Sequence, residues 1–206
     1  MPVFFKDNRS ILFVHIPKTG GTTIERLFKT SGWEMVLRNT RKSEPQLFPK
    51  LRVSFQHWQA GLLTEILDVS KFDLIFMMTR EPVARFRSEY TMRHTKNPSG
   101  ASSKVDAWAE KALRAYETNP YHLDNHLRPQ SEFELPDTVV YRLEDSMETM
   151  VADLNKRFDL GLAEKIPHAL NSTKRSGLSS SDVEISPELD TRLRDVYAED
   201  FRRYGY

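Results

Sequence analysis

Residues 11–28 read Ile-Leu-Phe-Val-His-Ile-Pro-Lys-Thr-Gly-Gly-Thr-Thr-Ile-Glu-Arg-Leu-Phe. The run Ile11–Ile16 has the length of a buried strand, a turn of Lys, Gly and Thr follows, and Ile24, Leu27 and Phe28 then recur at helical spacing. Strand, glycine turn and helix in that order aim backbone N–H groups and the positive end of a helix dipole at an anion. Gly20 and Gly21 let the main chain approach a phosphate closely and take a positive φ where one is required. Thr22 and Thr23 are placed to cap the helix and donate hydroxyls, and Lys18 brings a point charge. The pattern is a phosphate cradle, but not the Walker A kind, which sets its Lys after the last glycine; here Lys18 precedes both.

Outward from that stretch, the chain alternates strands and helices. Residues 33–38 and Leu51–Phe55 are short strand candidates, the latter leading into Gln56-His57-Trp58, and residues 60–69 carry a helical pattern. Between the strand candidates, Arg38 to Lys50 reads as charged, Pro-containing loop. Phe72–Met78 is nearly continuous apolar sequence, as expected of a parallel strand buried on both faces. It ends in Thr79-Arg80-Glu81-Pro82, with Pro82 opening a helix that runs to about His94. Residues 95–103 read as polar loop, Lys104–Thr118 as helix, 119–130 as irregular and rich in His, Asn and Arg. Thr138–Arg142 is a β-branched strand and Leu143–Phe158 a helix begun by Glu144 and Asp145. A Ser-, Lys- and Gly-rich loop over Asn171–Asp182 precedes a last helix, capped by Ser186 with Pro187 at its first position and running to about Phe201. The expected architecture is one α/β domain over 1–206, a P-loop-like parallel sheet of about four or five strands flanked by helices. Ligands then belong at the carboxyl ends of the strands, where the Lys18, His57 and Arg80 segments all fall.

Composition narrows the function. At 206 residues, 39% hydrophobic and 29% charged, the chain is long and apolar enough for a real core. A net charge of +1 supplies no global field for nucleic acid or an acidic membrane, so any basic site is local. With no cysteine there is neither disulfide nor thiolate metal ligand, and no His-Glu-x-x-His pair suggests zinc. The apolar runs are too short to span a bilayer and the N-terminus lacks a secretory pattern, so a cytoplasmic enzyme without a transmembrane segment is expected.

The segment His15-Ile-Pro-Lys-Thr-Gly-Gly-Thr-Thr23 resembles the 5′-phosphosulfate loop of sulfotransferases that use 3′-phosphoadenosine 5′-phosphosulfate (PAPS). The nearest likeness is to the carbohydrate group typified by heparan sulfate 2-O-sulfotransferases and their bacterial relatives. The segment Thr79–Tyr90 is similar to the family's 3′-phosphate motif, R-[DE]-P-x-x-R-x-x-S-x-[YF], with Arg80 and Ser88 able to converge on one phosphate. The competing reading is a solvated ion pair of Arg80 with Glu81 or Glu89. The resemblance implies that Lys18, Thr19, Gly20, Gly21, Thr22 and Thr23 hold the 5′ end of PAPS. It implies that Lys18 also stabilises the leaving phosphate, and that His57, in the place of a Gly-His segment, is the general base. Gln56 stands where the family has glycine, and Phe55 where some members have a second histidine. Lys174 and Arg175 lie in a basic stretch similar to one that many sulfotransferases close over the 3′-phosphate, a plain solvated loop being the other reading. His122, His126 and Arg128 lie in a stretch resembling one of some carbohydrate sulfotransferases, which either lines the acceptor site or packs as an irregular connection; the acceptor implied is a hydroxyl-bearing molecule, by default a carbohydrate. His15 reads as a buried side chain that could buttress the loop.

Two other classes share the scaffold. A Mg²⁺-dependent nucleotide or small-molecule kinase would need a carboxylate at the end of the second apolar strand, where Thr79-Arg80 stands instead. A non-catalytic nucleotide-binding module would need neither Lys18 nor His57.

Overall fold

Alternate residues of the two apolar runs divide between the faces of one sheet. The computed structural model describes residues 1–37, 50–167 and 177–206. Its strands are β1 (Val3–Lys6), β2 (Arg9–Val14), β3 (Glu34–Val36), β4 (Leu74–Thr79) and β5 (Val139–Arg142), in the order β3-β1-β2-β4-β5. The core β2-β4-β5 is parallel, with Phe13 opposite Phe76 and Phe76 opposite Val139. Ile11, Phe13, Leu74, Phe76 and Met78 pack against Ile24, Leu27, Phe28, Met150, Val151 and Leu154. Leu12, Val14, Ile75 and Met77 point the other way, onto Val53, Trp58, Leu63 and Phe133. This is the period-two division of a sheet buried on both faces.

Seven α-helices flank it among the described residues: α1 (Gly21–Thr30), α2 (Ala60–Ile66), α3 (Pro82–Arg93), α4 (Ser102–Thr118), α5 (Met147–Phe158), α6 (Pro187–Val196) and α7 (Ala198–Tyr204). A third apolar cluster joins α3, α4 and α6 through Phe86, Tyr90, Val105, Leu113, Leu189 and Leu193. No described helix is long and apolar enough to cross a membrane.

The α/β expectation is met, with local corrections. The sheet is mixed, because β1 pairs antiparallel with both β2 and β3. The β1–β2 hairpin turns on Asp7 and Asn8, both at positive φ (49° and 61°), the geometry of a two-residue type I′ turn. Leu51–Phe55 is not a strand: the Ser54 N–H is taken at 2.6 Å by the Asp124 carboxylate and is lost to any ladder. That segment ends instead in a 3₁₀ turn, Phe55–His57. The helix expected over residues 60–69 stops at Ile66, and the strand expected over 33–38 spans Glu34–Val36. Leu143–Asp145 is a separate 3₁₀ turn; Ser146, at φ 75°, breaks the path and caps α5 from outside through Thr149 N–H. The last helix is two, divided at Tyr197. The loop expected over Arg38–Lys50, all but its last residue, lies outside the described residues, as do residues 171–176 of the late polar loop, Lys174 and Arg175 among them.

Candidate active site

The turn after β2 is closed from within. Thr19 is fully buried and its Oγ1 donates to the Ile16 carbonyl at 2.9 Å. Lys18 and Gly20 both sit at positive φ, 70° and 90°, and Gly20 is the N-cap residue of α1. Thr22 and Thr23 therefore fall inside the helix, and no side chain caps it, contrary to expectation; a cap must precede the first helical residue. The leading N–H groups of a helix lack partners within it, and no acidic residue stands in the first turn of α1. This end presents donors and a positive dipole. The two glycines are needed for different reasons: Gly20 for its positive φ, and Gly21 because a Cβ there would meet the His15 ring.

Arg80 follows the carboxyl end of β4. Its guanidinium donates to the Lys18 carbonyl at 3.3 Å, so the two motifs meet. The fully buried Gln130 grips the Arg80 main chain, accepting from its N–H at 2.9 Å and donating to its carbonyl at 2.8 Å. Gln130 is fixed in turn by Asp200, whose buried carboxylate accepts from the N–H groups of Gln130 and Ser131, each at 2.8 Å. Burial lowers the Arg80 pKa, with Glu144 and Glu81 opposing; the group stays cationic. The expected competitors are otherwise engaged. Glu81 caps α3 by accepting from the N–H groups of Val83 and Ala84, and Glu89 accepts from His126 and Arg93. Ser88 lies on α3 two turns beyond Arg80, 9% exposed.

His57 closes the 3₁₀ turn beside the same loop. Its Nδ1 lies 2.8 Å from Asp124 Oδ2, so Nδ1–H donates to the carboxylate and Nε2 is left to accept a proton. Ser54 steadies Asp124 by donating its N–H (2.6 Å) and hydroxyl (2.8 Å), while Asn125 Nδ2 donates to the His57 carbonyl at 2.8 Å. Burial lowers the His57 pKa below 6.5; the Asp124 bond opposes this and His15 adds to it. Burial alone would raise Asp124, but the His57 and Ser54 bonds prevail and hold it at about 2. The result is an uncharged imidazole oriented by an ionised carboxylate.

His15 joins the loop to this pair. Its ring lies under Gly21 and edge-on to His57, with centroids 5.3 Å apart, and its Nδ1 is 2.8 Å from the buried Glu25. Gln56 Nε2 donates to Glu25 at 2.6 Å. The buttress expected of His15 is present, and Gln56 belongs to its network.

Asp124 is the functional candidate that sequence reading missed. Leu123, Asp124 and Asn125 are consecutive left-handed residues, at φ 54°, 60° and 63°. Asp and Asn tolerate that conformation, but a left-handed Leu costs about 1–2 kcal/mol. Such strain is a pointer to function. The only local signal was Asp-Asn inside an irregular segment. Of the acceptor candidates, His126 stands edge-on to His57 at 4.8 Å and donates from Nδ1 to Glu89 at 2.6 Å. Burial pulls its pKa down to about 4. The Arg128 guanidinium is engaged by Asn125, Glu132 and the Pro120 carbonyl. His122 is half-buried in the same turn, its N–H donating to the Asn119 carbonyl. His57, Asp124 and His126 each offer one ligand atom within 4.8 Å of the others, though each ring's Nδ1 is committed to a carboxylate.

The site thus sets a helix N-terminus, two cations and a carboxylate-oriented imidazole around the carboxyl ends of parallel strands. No curated protein and no solved structure gives a match to the chain. A profile of the Sulfotransferase family matches residues 1–206. The chain therefore belongs to the sulfotransferase family, whose members are enzymes of PAPS-dependent sulfuryl transfer to an acceptor.

Proposed function

We propose that the protein transfers the sulfuryl group of PAPS to an acceptor hydroxyl, of a carbohydrate or glycoconjugate, with His57 as general base. The observation that carries this reading is the His57–Asp124 pair standing next to the Lys18–Gly21 loop through their common neighbour His15. The donor set suits the nucleotide. The uncapped start of α1, with the N–H groups of residues 19–22, would hold the 5′-phosphosulfate, that of Thr23 being taken by the Gly20 carbonyl at 2.9 Å, and Arg80 with Ser88 would hold the 3′-phosphate. On α3, next to Ser88, the Nε of Arg87 is buried without a hydrogen-bond partner among the described residues, an orphaned donor.

PAPS supplies the sulfuryl group and departs as 3′,5′-ADP. The Lys18 ammonium would offset charge gathering on the leaving phosphate, a preorganised electrostatic role. Nε2 of His57 would receive the acceptor proton, and Asp124 would hold the tautomer and stabilise the imidazolium that forms.

Titration calorimetry of 3′,5′-ADP against ADP and ATP, without Mg²⁺, tests the reading on wild type and Arg80→Ala. Preferential binding of 3′,5′-ADP, lost in the variant, is expected. Equal binding of ADP, or binding only with Mg²⁺, would overturn the nucleotide assignment. Turnover of labelled PAPS over a panel of sugars, lipids and small alcohols then decides the acceptor.

A further inference from the structure

The helix expected to bind nucleotide has a second face. Arg85, Glu89 and Arg93 fall at i, i+4 and i+8 of α3, one stripe along its side. All three reach the segment that bears Asp124. Arg85, 1% exposed, donates to the carbonyls of His126 (3.1 Å) and Arg128 (2.7 Å). Glu89, also 1% exposed, accepts from His126 Nδ1 (2.6 Å) and Arg93 Nε (2.6 Å), and Arg93 donates to the Leu123 carbonyl (3.3 Å). Glu89 is held at a pKa of about 2: burial opposes ionisation, and His126 and Arg93 overcome it. The fixed points bracket Leu123–Asn125, the three left-handed residues. A turn so unfavourable locally needs an external mould.

We infer that Arg85, Glu89 and Arg93 are positioning residues for the base: they hold the left-handed turn so that Asp124 meets His57 Nδ1. None of them touches the reacting atoms in this scheme. A single rigid helix then carries nucleotide ligands, Arg80 at its entry and Ser88 on it, and the alignment of the proton acceptor on another side. The inference rests on the reading of His57 as base, but its structural content, the orientation and tautomer of His57, can be measured apart from turnover. The groups around the His57 ring are Asp124 and Ser54, His15 with Glu25 and Gln56, His126 with Glu89, and the chain's amino terminus.

The test is Glu89→Gln, compared with wild type by ¹⁵N shifts of the His57 imidazole, 3′,5′-ADP affinity and kcat. In wild type the shifts should show the proton on Nδ1. In Glu89→Gln they should show a tautomer mixture, with kcat down about 10- to 100-fold and 3′,5′-ADP affinity within about twofold of wild type. Should Glu89→Gln fail to fold, Arg93→Gln carries the same test from the more exposed end of the stripe, with partial recovery in Arg93→Lys. Wild-type shifts and kcat in a folded variant would overturn the inference, as would a wild-type His57 protonated on Nε2. Full turnover by His57→Gln would instead sink the base assignment, while the ¹⁵N shifts still decide whether α3 sets the imidazole.

Discussion

The loop Pro17–Gly21 and the turn Leu123–Asn125 both hold backbone in the left-handed region, by opposite means. In the loop, a glycine occupies the position of largest positive φ and Thr19 bonds three residues back to Ile16. Its shape is written mostly in neighbouring residues, with Arg80 alone reaching the Lys18 carbonyl from a distant strand end among the bonds described above. In the turn, leucine, aspartate and asparagine take positive φ with no glycine to ease them, and their fixed points come from α3, 30 to 41 residues earlier. The loop proposed to bind nucleotide reads as a local motif, whereas the proposed base and its carboxylate have no local signature as a pair and meet only through the packing of the whole domain.

The sharpest break between the two regions is His57→Gln. It should lower kcat by about 10²–10⁴-fold, the range for losing a general base, and leave 3′,5′-ADP affinity unchanged. Single-turnover transfer and calorimetry read the two separately. Asp124→Asn comes next, with a kcat loss of about 10²-fold. Its pH profile carries the sign. His57 accepts a proton only below its ordinary 6.5, so the acid limb of kcat/KM should lie under pH 6.5 in wild type. Asp124 raises the His57 pKa, so removing its charge should move that limb to still lower pH. A limb that moves up would contradict the pairing.

Arg80→Ala acts on the other region. It should weaken 3′,5′-ADP by about 10- to 100-fold, the scale of a lost charge-assisted hydrogen bond, and spare the His57 tautomer. The smallest expected effects separate the two glycines. Gly20→Ala should destabilise by about 1–2 kcal/mol through its left-handed φ, seen as a lower Tm and weaker nucleotide binding. Gly21→Ala should cost about 1–3 kcal/mol by displacing the His15 ring. Because that ring adjoins His57, kcat should fall in Gly21→Ala even at saturating nucleotide, and not in Gly20→Ala. Equal kcat in the two variants would show that His15 does not transmit the disturbance.

Stability should also respond to pH. The unfolded chain protonates His57 and His126 from about 6.5 downward, whereas burial holds both below that in the folded chain, His126 at about 4. The unfolded state therefore binds more protons, and Tm should fall as pH drops from 6.5 to 4. Asp124 and Glu89, each held at about 2, add a further loss as pH falls from the ordinary carboxylate range toward 2.

Much of the scaffold was legible because burial and capping mark contiguous residues. Ile11–Val14 and Leu74–Met78 are apolar at every position because both faces of the sheet are covered, and Ser186-Pro187 announced α6 through local capping chemistry. The hairpin strand β1 escaped because its turn is Asp-Asn, a weaker signal than Asn-Gly, and because Lys6 and Arg9 read as surface charge. Residues 51–55 alternate like a strand, yet their N–H bond goes to a side chain on a distant turn, which no pattern within the segment could reveal.

From the sequence by itself follow the strand–loop–helix and the Arg80 strand end, since each is a contiguous run whose chemistry depends on neighbours a few residues away, and the resemblance of its segment adds His57 as the candidate base. The tertiary structure alone decided which carboxylate orients His57, that His15 ties the loop to it, and that Arg85, Glu89 and Arg93 hold the turn between them. Those contacts join residues far apart in the chain, and which partners meet is settled only when the sheet and its helices have packed.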